Sequence, residues 1–279
     1  MSIIPKKEYQ ETVSQLLITV QTKYLENSGL LQDEITYKLY LAKKQLKKMQ
    51  FEHKRELLKR LLTVLSFDLS EELNKQMDNI LQYELSHRSI VTAESLQTTE
   101  KVAIWQGDIT RLKVDAIVNA ANCKLLGCFV PNHPCIDNCI HSWAGPRLRQ
   151  ECREIMKKQN FQDEPSGLAK ITKGYNLPSK YVIHTVGPIA NSKEEEDPER
   201  LRKCYQSILQ CAKENNIKTL AFCGISTGLF GYSIKTGATV AIETVKQWLS
   251  EDPFWDLIIF NCFKDEELLI YKKLFEKNF

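Results

Sequence analysis

At 279 residues, 43% of them hydrophobic and 26% charged, the chain has the balance of an ordinary soluble globular protein, large enough for one large or two modest domains. Its 38 basic and 35 acidic residues leave a formal charge of +3, too small an excess for a dedicated nucleic-acid binder, so a small anion would have to be held by local geometry. No apolar run reaches the length of a membrane span and the start, MSIIPKKEYQ, lacks a signal-peptide core, which predicts a cytoplasmic protein with no membrane partner.

Residues 1–95 read as a helical N-terminal extension. Val13, Leu16, Leu17, Val20 and Tyr24 recur at helical spacing, and Leu57, Leu58, Leu61, Leu62 and Leu65 mark a second apolar face. Ser70 is an N-cap candidate, with Glu71 and Glu72 in a first turn whose partial positive charge favours them. Leu73, Met77, Ile80 and Leu81 then supply a buried stripe. No catalytic pattern occurs here, and the segment reads as packing or recognition.

Residues 96–279 change character. Short apolar runs of strand length cover 102–105, 114–118, 181–185, 219–224 and 257–261, with helical patterns over 136–157, 198–215 and 234–250. Strands alternating with helices predict an α/β architecture with a largely parallel or mixed sheet. The stretch 191–200, with the acidic run Glu194, Glu195, Glu196 and Asp197, reads as a solvated surface loop.

Three loops follow strands, where open α/β sheets place ligands. Gly107-Asp108-Ile109-Thr110 follows the first. Asn119-Ala120-Ala121-Asn122 follows the second, with small residues that admit a ligand to the backbone and amides that both donate and accept. Gly224-Ile225-Ser226-Thr227-Gly228-Leu229-Phe230-Gly231-Tyr232 precedes a helix starting near Ser233, an array of backbone N–H groups suited to a diphosphate. It also contains a formal G-x-S-x-G, but all five histidines precede Ser226, contrary to the order of an α/β-hydrolase triad.

The nine cysteines are unevenly spread: none precedes Cys123, and Cys123, Cys128, Cys135, Cys139 and Cys152 crowd into thirty residues. In a reducing compartment such clustering points to metal or catalysis before disulfides. Cys128, His133 and Cys135 place two thiols and an imidazole within eight residues, a donor set that zinc accepts, and three protein ligands with an open fourth position is the catalytic arrangement. A purely structural site would need a fourth ligand, for which Cys123, Cys139 and His141 are at hand. Ile136, Cys139, Ile140 and Trp143 fall at helical spacing beyond the loop, with Asp137 in the first turn.

GDIT (107–110), VDAIVNAAN (114–122), IHTVGP (183–188) and GISTGLFGY (224–232), in this order over residues 101–262, resemble the macrodomain family. The resemblance implies a three-layer α/β/α sandwich with a mixed sheet whose cleft binds ADP-ribose. The segment LLGCFVPNHPCIDNCIH (125–141) is similar to the zinc-containing class of protein-ADP-ribose hydrolases, found in microbes with a helical N-terminal extension. Carried over by motif, Asp108 would accept from the adenine amino group, with Ile109 adding backbone and packing. Asn122 would hold the distal ribose, with Ile136, Asp137 and Asn138 beside it. Ser226, Thr227, Gly228, Leu229 and Phe230 would wrap the diphosphate and distal sugar, and Cys128, His133 and Cys135 would bind zinc. Asp137 and Asn122 are the expected catalytic residues, Asp137 being either a general base or a ribose anchor. The expected reaction is zinc-dependent hydrolysis of mono-ADP-ribose from modified proteins, with an ester on aspartate or glutamate as the linkage. The alternatives are a non-catalytic ADP-ribose reader and an interaction protein with a structural zinc.

Overall fold

The computed structural model describes residues 4–30, 32–191 and 195–278, so Ser192, Lys193 and Glu194 of the expected surface loop lie outside the described residues. Four helices come first: α1 (Lys6–Glu26), α2 (Gln32–Lys48), α3 (Phe51–Val64) and α4 (Glu71–Ser86). Then follow β1 (Val91–Thr92), β2 (Val102–Gln106), β3 (Leu112–Lys113), β4 (Ala116–Ala121), α5 (Ile136–Ala144) and α6 (Pro146–Lys158). The chain continues through β5 (Ala169–Lys173), β6 (Tyr181–Val186), α7 (Pro198–Glu214), β7 (Thr219–Phe222), α8 (Ile234–Glu251), β8 (Leu257–Cys262) and α9 (Asp265–Asn278). Among the described residues, no helix is long and apolar enough to cross a membrane.

Packing divides the chain into two units that are not consecutive in sequence: Met1–Arg88 with Cys128–Gln150, and Ser89–Gly127 with Glu151–Phe279. The sequence places one boundary near residue 95; the segment Cys128–Gln150 instead packs with the helices of the extension.

In the first unit, Val13, Leu16, Leu17 and Val20 of α1 are wholly buried and form a core with Leu58 of α3 and Leu73, Met77, Ile80 and Leu81 of α4. Tyr24, expected on the same stripe, stands in the last turn of α1 and is exposed. Glu84 of α4 accepts from Tyr9 Oη (2.8 Å) and Arg55 Nη2 (2.8 Å), tying three helices together at one carboxylate. Ser70 caps α4 as expected, its Oγ accepting from Leu73 N at 3.4 Å. The single helix expected over 136–157 is two. Gly145 has φ +90°, a conformation that side chains disfavour, and its N–H returns to His141 O (3.0 Å) to close α5. Pro146 then opens α6, where its missing N–H costs nothing.

The second unit is built on a six-stranded sheet of order β2-β8-β7-β4-β6-β5, parallel throughout except for β5, which runs antiparallel to β6. It is the expected α/β fold with a mixed sheet. β4, β6, β7 and β8 are buried along almost their whole length, which is why they read as continuous apolar runs instead of alternating ones. The edge strand β5, with lysines at 170 and 173, and the closing helix α9 are absent from the sequence reading. β4 begins at Ala116 and runs to Ala121, so Asn119, Ala120 and Ala121 lie within the strand and only Asn122 enters the loop. Asp115 explains the late start: its Oδ2 accepts from Lys218 N, Thr219 N and Thr219 Oγ1, each at 3.0 Å, pinning the start of β4 to β7. Because β2, β4 and β7 are parallel, their following loops emerge at one edge of the sheet.

Candidate functional site

In the sheet unit, the loop after β2 turns at Gly107, where a Cβ would lie 2.5 Å from the Trp105 ring, so only glycine lets the chain fold back over that indole. Asn261 of β8 holds the turn by donating to Gly107 O (2.9 Å). Asp108 Oδ1 accepts from Thr110 N (3.0 Å) and Thr110 Oγ1 (2.7 Å), capping a short 3-10 turn, and Ile109 is buried beneath it.

Past β4, Asn122 shapes its own loop. Its Oδ1 accepts from Lys124 N (3.0 Å) and its Nδ2 donates to Gly127 O (3.2 Å). Asn119, read from sequence as a loop residue, is fully buried, with Nδ2 3.1 Å from Nδ1 of His184 on β6. Nε2 of that histidine lies 2.9 Å from Thr172 Oγ1 on β5. Burial lowers the His184 pKa to about 4, so the imidazole is neutral and ties three strands together beneath the loops.

The loop after β7 is set by close backbone approach. Ser226 has φ +62° and a buried hydroxyl with no hydrogen-bond partner among the described residues. A Cβ on Gly187, of the IHTVGP motif, would meet that hydroxyl at 2.2 Å. On Gly231, which has φ +84°, it would strike Ala190 O at 2.1 Å, and on Gly237 it would strike Thr227 at 2.4 Å. Gly228 faces open space, Leu229 beside it is 84% exposed, and Phe230 packs inward against Ala121, Leu125, Met156 and Val186. α8 starts where expected, with Ser233 as its N-cap, but its terminus is occupied. Ser233 N donates to Glu196 Oε1 (2.7 Å) and Thr236 N to Ser233 Oγ (3.1 Å), so this helix end already carries a carboxylate of the chain itself. The helix terminus is thus already occupied, and the backbone N–H groups left for a ligand are those of the loop, Gly224 to Phe230.

In the helical unit, the donor atoms of Cys128, His133 and Cys135 lie within 4.8 Å of one another, with Cys128 Sγ 3.6 Å from His133 Nδ1. Neither Cys139 nor His141 joins this group. Two thiols and an imidazole are a donor set that fits zinc. Cys135 is also the N-cap of α5, its Sγ accepting from Asn138 N (3.3 Å). Burial pushes its thiol up to about 11; the Asn138 amide works against the rise and Cys128 adds to it. Capture of a metal there must release that proton. The Asn138 side chain holds the loop: Nδ2 donates to Val130 O (3.0 Å) and His133 O (3.2 Å), on either side of the turn.

The helical spacing of Ile136, Cys139, Ile140 and Trp143 misplaces the buried face of α5. The residues buried there are Asp137, Asn138, Ile140, His141 and Ala144. Asp137 Oδ1 lies 3.5 Å from His141 Nε2, a pair almost wholly withdrawn from solvent. Their i, i+4 spacing is the sequence signal for this pair.

Residues 118–241 match the family model for the Macro domain. The chain is 46% identical over 183 residues to the protein-ADP-ribose hydrolase of Staphylococcus aureus, across 64% of this chain and 68% of that protein. It is 48% identical over 172 residues to the protein-ADP-ribose hydrolase of Treponema medium, across 61% of this chain and 66% of that one. Among solved structures, the Trypanosoma brucei macrodomain in complex with ADP-ribose superposes with a TM-score of 0.61 at 33% identity, covering 77% of this chain and 94% of that chain.

Proposed function

The chain belongs to the macrodomain family, and on that premise we propose that it is a zinc-dependent hydrolase that removes mono-ADP-ribose from modified protein side chains. The observation that carries this reading is the convergence of Cys128, His133 and Cys135 two residues ahead of a buried carboxylate, Asp137. A non-catalytic reader of ADP-ribose has no need of such a donor group.

Cys128, His133 and Cys135 would hold the metal, and zinc bound there would supply a Lewis acid. Asp137, fixed by the first turn of α5 and by His141, takes the proton of the attacking water as general base. Asn122 holds the distal ribose. Asp108 accepts from the adenine amino group over the packing of Ile109, and the backbone of Ser226, Thr227, Gly228, Leu229 and Phe230 wraps the diphosphate. The linkage is an ester on aspartate or glutamate: as water attacks the anomeric carbon the C–O bond to the side chain breaks, and the departing carboxylate needs less protonation than an amine would.

The test is incubation of the protein with glutamate-linked mono-ADP-ribosylated protein, with and without a chelator. Release of ADP-ribose that the chelator stops and zinc restores is expected. Binding of free ADP-ribose with no release under any metal condition would favour the reader.

A further inference from the structure

Helices α1–α4 and the segment Cys128–Gln150 form one packing unit, and a single side chain links the end of α3 to the metal-binding loop. Arg149, in the first turn of α6, points Nη1 at the C-terminal end of α3, within reach of Leu62 O (3.0 Å), Thr63 O (3.1 Å) and Leu65 O (3.2 Å). The last carbonyls of a helix have no partners within it, and α3 has no basic residue of its own in its last turn. A guanidinium suits that negative end.

The same guanidinium lies 4.4 Å from the ring centroid of Phe129, which directly follows Cys128. Phe129 is 40% exposed, and the guanidinium covers one face of its ring. Two restraints thus act on the loop from within the unit: Asn138 on the carbonyls of Val130 and His133, and Arg149 on the residue beside the first thiol. A loop held in its ligating shape before the ion arrives loses less conformational freedom on binding it.

We propose that Arg149 is a positioning residue through which the N-terminal helices pre-organise the metal-binding loop; this rests on the reading of Cys128, His133 and Cys135 as zinc ligands. The extension is then part of the metal-holding apparatus as well as a separate packing element.

Two variants of the full chain test this. Phe129→Ala removes the stack and leaves the helix end capped. Arg149→Lys keeps a cation for the carbonyls of α3 but lacks the planar face. Zinc affinity, measured by competition with a chromophoric chelator, should fall about twofold to tenfold in each. Hydrogen–deuterium exchange over residues 128–135 of the metal-free protein should rise in both, while the melting midpoint of Phe129→Ala stays at the wild-type value. If the wild type binds zinc and both variants match it in affinity and loop exchange, the positioning role is overturned and the zinc reading stands. If the wild type takes up no zinc yet loop exchange rises in both variants, the zinc reading falls and the restraint by Arg149 stands. Should Arg149→Lys fail to fold, Phe129→Ala alone decides, because its partly exposed ring can be removed without opening the core.

Discussion

The loops at 224–232 and 128–135 are both short, and they are built in opposite ways. The first is shaped by its backbone: Gly187, Gly231 and Gly237 stand where a Cβ would come within 2.4 Å of a neighbour, and Ser226 adopts a left-handed turn. The second is shaped by side chains: two thiols and an imidazole converge, and the amide of Asn138 and the guanidinium of Arg149 restrain the chain between and beside them. A backbone-built cradle offers N–H groups to a ligand that is already an anion. A side-chain cluster must lose a proton before it takes a cation. The two loops should therefore fail differently.

The largest expected contrast comes from substitutions in the helical unit. Cys135→Ser should lose the metal and nearly all hydrolysis, while ADP-ribose still binds, more weakly, to a protein with a cooperative melt. Metal analysis, turnover and calorimetry on one preparation would show it. Wild-type turnover without metal would make the zinc structural and erase the contrast. Asp137→Asn should keep its zinc and lose about 10²–10⁴ in turnover, the range for a removed general base.

Next in size is the acid sensitivity of the sheet unit. Burial holds the His184 pKa at about 4, against about 6.5 in an unfolded chain. The folded value is the lower one, so the unfolded state takes up the proton first as pH falls. The stabilisation is complete above pH 6.5 and is lost progressively down to pH 4, about 3 kcal/mol in all. Melting curves of metal-free protein across this window should steepen for the wild type and flatten for His184→Gln; identical profiles would remove His184 as the cause.

Asp108→Ala should weaken ADP-ribose by about 1–3 kcal/mol, the scale of a hydrogen bond to a charged group, and leave ribose 5-phosphate unaffected. Because Asp108 also caps the turn at Thr110, equal losses for both ligands would assign it to the fold. The smallest effect on stability is expected at Gly228, where an added Cβ meets nothing within 4 Å. Gly228→Ala should change stability by no more than about 0.5 kcal/mol yet reduce ADP-ribose affinity, since the methyl group takes space assigned to the diphosphate. Unchanged affinity would mean that the diphosphate does not approach this residue.

What the sequence by itself determined is what local stereochemistry writes into consecutive residues. Ser70 and its two glutamates announced a helix start, the apolar stripes of α1 and α4 gave their buried faces, and β4, β6, β7 and β8 stood out because burial on both faces makes a strand apolar throughout. The group of Cys128, His133 and Cys135, proposed to hold zinc, was legible for the same reason, being eight residues from first to last. Tertiary structure decided the rest, because it depends on what the chain meets when it returns. Asn119 lies in a strand instead of a loop because His184, 65 residues later, lies beside it. On α5 the polar Asp137, Asn138 and His141 are buried together with Ile140 and Ala144, and Asp137 meets His141 there. Glu196 occupies a helix end that looked available to a ligand. The segment Cys128–Gln150 joins the helices that precede it by forty residues, through contacts such as Arg149 with the end of α3, whose partners are over eighty residues apart. Spacing along a sequence carries no record of such a return, since each of these side chains would be equally satisfied by water until the fold removes it.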